Sequence, residues 1–319
     1  MEFQTIELQD KEWVNSLLRS SGFRGCEYNF NTMFLWQFVF ATKISRFEDR
    51  LLVRSGREQY SYLFPPGSSD VGAAINQIEK QAQKDAMPFQ MHSVNPQAKA
   101  EIETLFPGEY DFFLCRNDFD YIYDSESLRT LKGKKFHGKR NHINRFLQTY
   151  EGRWNFEPIT EDNIPECKCM NKEWCKANCC YVDDSKLQEQ CAVAQAFRHF
   201  FDLGLEGGLL RVDNEVVAFT FGEPLNSDTY LMHVEKAFAN IQGAYPMINQ
   251  QFATTHCEEF SFINREDDTG AAGLRKAKLS YRPAFFEEKF LVRKKNQLNE
   301  DERQRLLRWS AEQMENEDD

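Results

Sequence analysis

Residues 263–283 read INREDDTGAAGLRKAKLSYRP, in which a short apolar strand pattern runs into Asn264, Arg265, Glu266, Asp267 and Asp268 and then into a basic helical stretch. Arg265 beside three carboxylates, a turn from Gly270 to Gly273, and Arg275, Lys276 and Lys278 gather both charge signs at one strand-to-helix junction. Such junctions hold anions, because the first turn of a helix offers unpaired amides and the positive end of its dipole. Arginine brings a planar fork to phosphate, and lysine a compact charge. The alternative is a solvated helix face balanced by Glu266, Asp267 and Asp268, but Arg265 closes an apolar strand, which favours a binding role. Glu235 follows the alternating run YLMHV. It is the candidate base for an acceptor that must lose a proton, or else the partner of an ion pair with Lys236, Arg265 or Lys276. His233, two residues earlier on the same strand pattern, is either its candidate neighbour or a structural histidine satisfied by partners of its own.

A second cationic region spans residues 126–150, which hold seven Lys or Arg and one acid, a net +6 against −17 for the rest of the chain. Lys134, Lys135, Lys139 and Arg140 are its candidate polyanion contacts. The phosphates of a tRNA or an anionic lipid headgroup would suit them, with binding that falls as salt rises. The alternative is a solvated face docked on the acidic remainder.

Periodicity supplies the elements that must carry these groups. After the segment FQTIEL come a helix near 11–20 and a hairpin of ISRFEDRLLVRSG and EQYSYLFPPG turning near Gly56. A helix from Val71 to Asp85, the strand FQMHSV, a helix through Ala98 to Leu105 and one aromatic strand from Tyr110 to Tyr123 follow. Beyond the basic segment the order recurs. The strand RWNFEPI leads to a helix through Trp174 and another from Leu187 to Leu205, then a hairpin around Asp213 and Asn214, the strand TYLMHVEK, a helix opened near Pro246, the strand FSFINR, a helix, and a last strand from Phe285 to Phe290. The expected organisation is an N-terminal unit over 1–125, a basic linking helix over 126–150, a C-terminal unit over 151–295, and a polar helix and tail over 296–319.

Composition narrows the function. At 319 residues with 28% charged residues the chain can bury a full core, and a net charge of −11 argues against DNA as a partner. Neither an export signal nor a spanning helix is read, so the expected location is cytoplasmic, with peripheral attachment to a membrane compatible. Nine cysteines include Cys167, Cys169, Cys175, Cys179 and Cys180 in one stretch. Their spacing is not that of paired CxxC motifs and no histidine is near, so no metal is expected. GxSxG, HExxH, P-loop and dinucleotide motifs are absent from the sequence.

A hairpin, a third strand, a loop opening a helix, another strand, a helix and a final strand is the order of the GNAT acyltransferase fold, and it occurs twice. The segments SESLRTLKGKKFHGKRNHINRF (125–146), HVEKAFANIQGAYPMINQQF (233–252) and INREDDTGAAGLRKAKLSYRP (263–283) resemble, in order and spacing, the C-terminal catalytic domain of phosphatidylglycerol lysyltransferases, the DUF2156 family. This resemblance covers nearly the whole chain. It implies an α+β fold of two tandem GNAT-like domains, mixed sheets flanked by helices, related to the Fem aminoacyl transferases. It also implies an acyl or aminoacyl transferase in which an amine or hydroxyl acceptor attacks the donor directly, without a covalent enzyme intermediate and without a tightly bound cofactor.

The donor is aminoacyl-tRNA or acyl-CoA. In that frame Glu235 stands just before the donor loop, Tyr281 protonates the leaving group, and Gln242, Gly243, Ala244, Arg265, Arg275, Lys276 and Lys278 hold donor phosphates. Two departures from the family pattern matter. No transmembrane helices are read, which places a soluble small-molecule or peptide acceptor beside a lipid headgroup. The CoA loop, (Gln or Arg)-x-x-Gly-x-(Gly or Ala), is met only in part, since Tyr245 supplies a Cβ where glycine would let amides close on phosphate. The alternative of a different class is a noncatalytic protein that keeps the fold and its anionic pocket.

Overall fold

The computed structural model describes residues 1–178 and 184–315, and the chain divides into two compact units. The first comprises Met1–Tyr121, Asp267–Lys276 and the chain from Phe286 onward; the second comprises Ile122–Glu266 and Ala277–Phe285.

The first unit opens with α1 (Lys11–Ser21) and α2 (Phe30–Phe40). Asn29 caps α2, its side chain accepting from the Thr32 amide at 2.8 Å. Three antiparallel strands follow, β1 (Lys43–Phe47), β2 (Arg50–Ser55) and β3 (Ser61–Tyr62). The run ISRFEDRLLVRSG, expected as one strand, is two, because the chain reverses at Glu48, which takes a φ of 50°. The turn near Gly56 then leads from β2 to β3. Helix α3 (Val71–Lys84) crosses over to β4 (Gln90–Val94), parallel to β3, and α4 (Pro96–Leu105) leads to β5 (Tyr110–Leu114).

The next strand, β6 (Asp120–Asp124), belongs to the other sheet. Tyr110 to Tyr123 is therefore two strands rather than one aromatic strand, broken by a helical turn at Arg116–Asp118 whose arginine is fully buried. Helices α5 (Ser125–Thr130) and α6 (His137–Thr149) make up the basic segment. The second unit continues with β7 (Trp154–Pro158), α7 (Ile164–Ala177), α8 (Asp184–Arg198), β8 (Glu206–Val212), β9 (Glu215–Pro224) and β10 (Thr229–Ala237). Helix α8 stops at Arg198 rather than reaching Leu205; the chain turns there and Gly204 takes a φ of 62°. Helix α9 (Ala244–His256) crosses from β10 to the parallel strand β11 (Phe262–Asn264), and α10 (Ala272–Leu279) precedes β12 (Phe285–Glu287). The chain ends in β13 (Phe290–Lys294) and α11 (Glu300–Glu315).

One sheet has the order β1-β2-β3-β4-β13-β5 and the other β12-β6-β11-β10-β9-β8-β7. Each sheet thus receives one strand from the far half of the sequence. What reads as one last strand from Phe285 to Phe290 is likewise two strands in different sheets, β12 and β13.

The core of the second unit is built on its central strand. Strand β9 is buried from Val216 to Gly222, as befits a central strand covered on both faces. Phe197 of α8 lies 5.2 Å from Phe219 and 5.8 Å from Phe221, ring centre to ring centre, in edge contacts that extend the core. The β8–β9 hairpin turns on Asp213 and Asn214, both at positive φ, 52° and 70°, as a tight two-residue turn requires. Asn299 and Glu302 exchange hydrogen bonds at the start of α11, an N-terminal capping box. No helix among the described residues is long and apolar enough to cross a membrane.

Candidate active site

Strand β10 carries Glu235 to the edge of α9, and the end of β11 delivers Arg265 to it. Arg265 Nη2 donates to Glu235 Oε1 at 3.0 Å, with both side chains 10% exposed. Asn249 of α9, fully buried, donates from Nδ2 to Glu235 Oε2 at 2.8 Å. Both carboxylate oxygens are therefore engaged. Two buried polar atoms of the same group have no hydrogen-bond partner among the described residues: Arg265 Nη1, a donor, and Asn249 Oδ1, an acceptor. Leaving such atoms unpaired is costly, and they mark where a ligand would gain most.

Two tyrosines wall the guanidinium. Arg265 Cζ sits 4.8 Å from the centre of the Tyr281 ring and 5.6 Å from that of Tyr123. The rings meet edge to face at 6.5 Å. Lys139, half-buried on α6, places Nζ 3.6 Å from the Tyr281 ring centre. Below, Lys278 Nζ donates to the Arg265 carbonyl at 2.6 Å and Tyr123 Oη to the Lys278 carbonyl at 2.8 Å, fixing the backbone that presents Arg265.

The electrostatics follow from this packing. Burial alone would lower the Arg265 pKa, but Glu235, Tyr123 and Tyr281 outweigh it and the guanidinium stays above its ordinary value. Burial, then the Glu235 charge, push the Tyr281 hydroxyl up, so it remains protonated. Lys139 is pushed down to about 8, first by burial and then by Arg265, with Glu235 opposing.

His233 sits at a bulge in β10, where the register against β9 shifts between Met232 and Val234. Its Nε2 meets Glu223 Oε1 at 2.9 Å and its Nδ1 meets Glu266 Oε1 at 3.0 Å. Both ring nitrogens are thus taken, and the ring does not hydrogen-bond Glu235 as its strand position suggested. Burial would lower its pKa, yet the two carboxylates raise it to about 9, so it is an imidazolium pinning the ends of β9 and β11.

The remaining sequence candidates fall elsewhere. Arg275 belongs to the first unit, where Nε and Nη2 donate to Asp268 at 2.8 and 2.9 Å and Nη2 donates to Asn117 at 2.8 Å. Lys276 is exposed, as is Gln242, while Ala244 is buried. Gly243 has a φ of 86° and lies against α6; a Cβ there would stand 2.4 Å from the His142 carbonyl oxygen. Of the basic segment, Lys134 and Lys135 are exposed, and Arg140 braces the turn before α6 by donating to the carbonyls of Leu131 and Gly133. Sequence reasoning missed Asn249 and Tyr123. Asn249 left a trace, a lone amide among Met247, Ile248, Phe252 and Ala253 on the buried side of α9.

Among the described residues, Cys26, Glu27 and Asp120 of the first unit bring metal-ligand atom types together. The buried Lys289 ammonium already donates to Asp120 Oδ1 at 2.7 Å and Glu27 Oε1 at 2.8 Å, so an ion-paired lysine occupies the place a cation would take. In the cysteine-rich stretch Cys167 and Cys175 are buried and Cys169 is exposed; Cys179 and Cys180 lie outside the described residues. Burial pushes the Cys167 thiol up to about 12, the opposite of what a metal ligand needs.

The family described as phosphatidylglycerol lysyltransferase, C-terminal, matches residues 18–293. A conserved protein of unknown function from Bacteroides thetaiotaomicron superposes with a TM-score of 0.89 at 40% identity, over 92% of this chain and 100% of that one. The L-PGS of Bacillus licheniformis superposes with a TM-score of 0.66 at 15% identity, over 95% of this chain and 96% of that one, a likeness of fold. An uncharacterised protein of Mycoplasmoides gallisepticum is 25% identical over 190 residues, and the match spans 58% of this chain and 60% of that relative's length. The fold is α+β, with two mixed sheets flanked by helices in a tandem GNAT, Fem-like arrangement. From within α1 to β13, the chain belongs to the family of phosphatidylglycerol lysyltransferase C-terminal domains.

Proposed function

We propose that the second unit transfers an aminoacyl group from a charged tRNA to a hydroxyl or amine acceptor by direct attack. The observation that carries this reading is the pair of unpartnered buried atoms beside Glu235. An aminoacyl ester presents an ammonium and a carbonyl. Asn249 Oδ1 and Glu235, which retains lone-pair capacity, are acceptors for the ammonium. Arg265 Nη1 is the donor for the carbonyl oxygen and for the negative charge that grows on it. Tyr281, kept protonated, can hydrogen-bond the departing oxygen.

The packing of Gly243 supports aminoacyl-tRNA over acyl-CoA. With the His142 carbonyl against Gly243, the start of α9 is taken up by α6, and Arg275 and Lys278 have protein partners. A CoA pyrophosphate depends on open amides at such a helix start. The exposed Lys134 and Lys135 suit the tRNA backbone. The family's name makes phosphatidylglycerol the first acceptor to try, beside peptides and small amines.

The test compares affinity of the purified chain for charged tRNA, the same tRNA deacylated, and CoA. Tighter binding of the charged form, weakened by Asn249→Leu, is the expected result. Saturable CoA binding with indifference to the aminoacyl group overturns the reading.

A further inference from the structure

We infer that Lys139 is the group that takes the proton from the attacking nucleophile, an inference that rests on the aminoacyl-transfer reading. The sequence sets Lys139 in a run of cations, as one more contact for a polyanion. Its neighbours in that run behave as a run would suggest, with Lys134 and Lys135 exposed and Arg140 tied to backbone carbonyls. Lys139 instead turns onto the face of Tyr281, and the other side of the cluster holds Arg265. Among the described residues its ammonium makes no hydrogen bond or ion pair.

The other groups of the cluster are poorly placed to move a proton. Arg265 does not lose its own. Both oxygens of Glu235 accept from Arg265 and Asn249, and Lys278 is spent on a carbonyl. Tyr281 and Tyr123 are phenols, and burial holds Tyr281 in its neutral form. Of the charged and titratable groups that face Lys139, the nearby Arg265 disfavours its ammonium while Glu235 and the Tyr281 ring favour it. Burial, the largest effect, also disfavours the charged form and brings its pKa to about 8, so near neutral pH roughly a tenth of the amine is free. A base with a pKa close to the working pH is the efficient kind.

The step balances as follows. The acceptor O–H or N–H gives its proton to the neutral Lys139 amine as its lone pair forms a bond to the donor carbonyl carbon. The carbonyl electron pair moves to oxygen beside Arg265 Nη1. When the pair returns, the bond from carbon to the ribose oxygen breaks, and the Lys139 ammonium returns the proton to that oxygen. The products are the aminoacylated acceptor and free tRNA, and Lys139 is again neutral.

Two measurements test this. Trace labelling with isotopic acetic anhydride, read peptide by peptide across a pH series, should give Lys139 a midpoint near 8, below the ordinary lysine value of about 10.4. A Lys139 midpoint among the surface lysines, or no labelling of Lys139 at any pH, overturns the inference. In single-turnover transfer from charged tRNA, Lys139→Arg keeps the cation and its stacking on Tyr281. It should slow the step about 100-fold and abolish the alkaline rise in rate, with tRNA affinity unchanged. Lys139→Ala should regain part of its rate from added ethylamine. Wild-type rate and pH profile in Lys139→Arg sink the inference and leave the aminoacyl reading standing. No turnover of charged tRNA by the unaltered protein brings down both.

Discussion

Arg265 divides its guanidinium between Glu235, to which Nη2 donates at 3.0 Å, and a buried Nη1 that has no partner among the described residues. Structural ion pairs of low exposure are ordinarily closed sets, in which further hydrogen bonds satisfy every prong. This one is held open on one side by Tyr123 and Tyr281, which contact the ion through their faces and not through hydrogen-bond acceptors.

Removing one partner should therefore expose the other. Arg265→Met is expected to destabilise the second unit by about 3 kcal/mol, because the carboxylate of Glu235 stays buried without its counter-ion. Glu235→Gln, which keeps the shape and an acceptor for Asn249, should cost less. Urea unfolding of both variants checks this, and an Arg265→Met change below about 0.5 kcal/mol, the scale of ordinary surface substitutions, would show that the pair is not structural.

His233 gives a pH signature. Its folded pKa of about 9 stands above the ordinary 6.5. The stabilisation is thus fully present below pH 6.5 and lost as pH rises through 9. Its size is on the order of 3 kcal/mol. Unfolding free energy measured along that window should fall in the unaltered protein and stay flatter in His233→Gln. Equal slopes would mean that the Glu223 and Glu266 contacts do not hold the imidazolium.

Much of this architecture is legible in the residues themselves. The Asp213–Asn214 turn, the strand before Glu235 and the helix after Gly243 follow from alternation and turn chemistry. The placing of β6 and β13 in their sheets does not, because pairing is non-local: nothing within FDYIYD or FLVRK states which sheet receives it. The candidate site divides in the same way. Arg265 stands out at the end of an apolar strand and Glu235 as the carboxylate after the alternating run YLMHV, while Lys139 differs from Lys134 and Lys135 only through a ring far away in the sequence. Arg275 resembles a phosphate ligand in the sequence and is committed to Asp268 in the structure.

Gly243 admits no side chain at low cost. Gly243→Ala combines a φ of 86° with a Cβ 2.4 Å from the His142 carbonyl oxygen, both backbone constraints. A loss of about 1 to 3 kcal/mol is expected from the overpacking alone. A thermal melt of the variant that matches the unaltered protein would mean that α6 moves aside freely.

The exposed lysines before α6 set the salt response. Lys134→Gln with Lys135→Gln should weaken tRNA binding and reduce the slope of log affinity against log salt by about 1 to 2, near one per lost phosphate contact. An unchanged slope would place the tRNA elsewhere.

The most direct test supplies the purified protein with tRNA carrying radiolabelled amino acids and with vesicles of phosphatidylglycerol, a peptide mixture or small amines, with labelled acetyl-CoA in parallel. The expected result is label passing from tRNA to one acceptor, falling about 100-fold in Arg265→Lys, the range seen when one donor to a developing oxyanion is lost. Transfer from acetyl-CoA with none from tRNA, or Arg265→Lys turning over like the unaltered protein, would contradict the assignment of this cluster as the aminoacyl-transfer site.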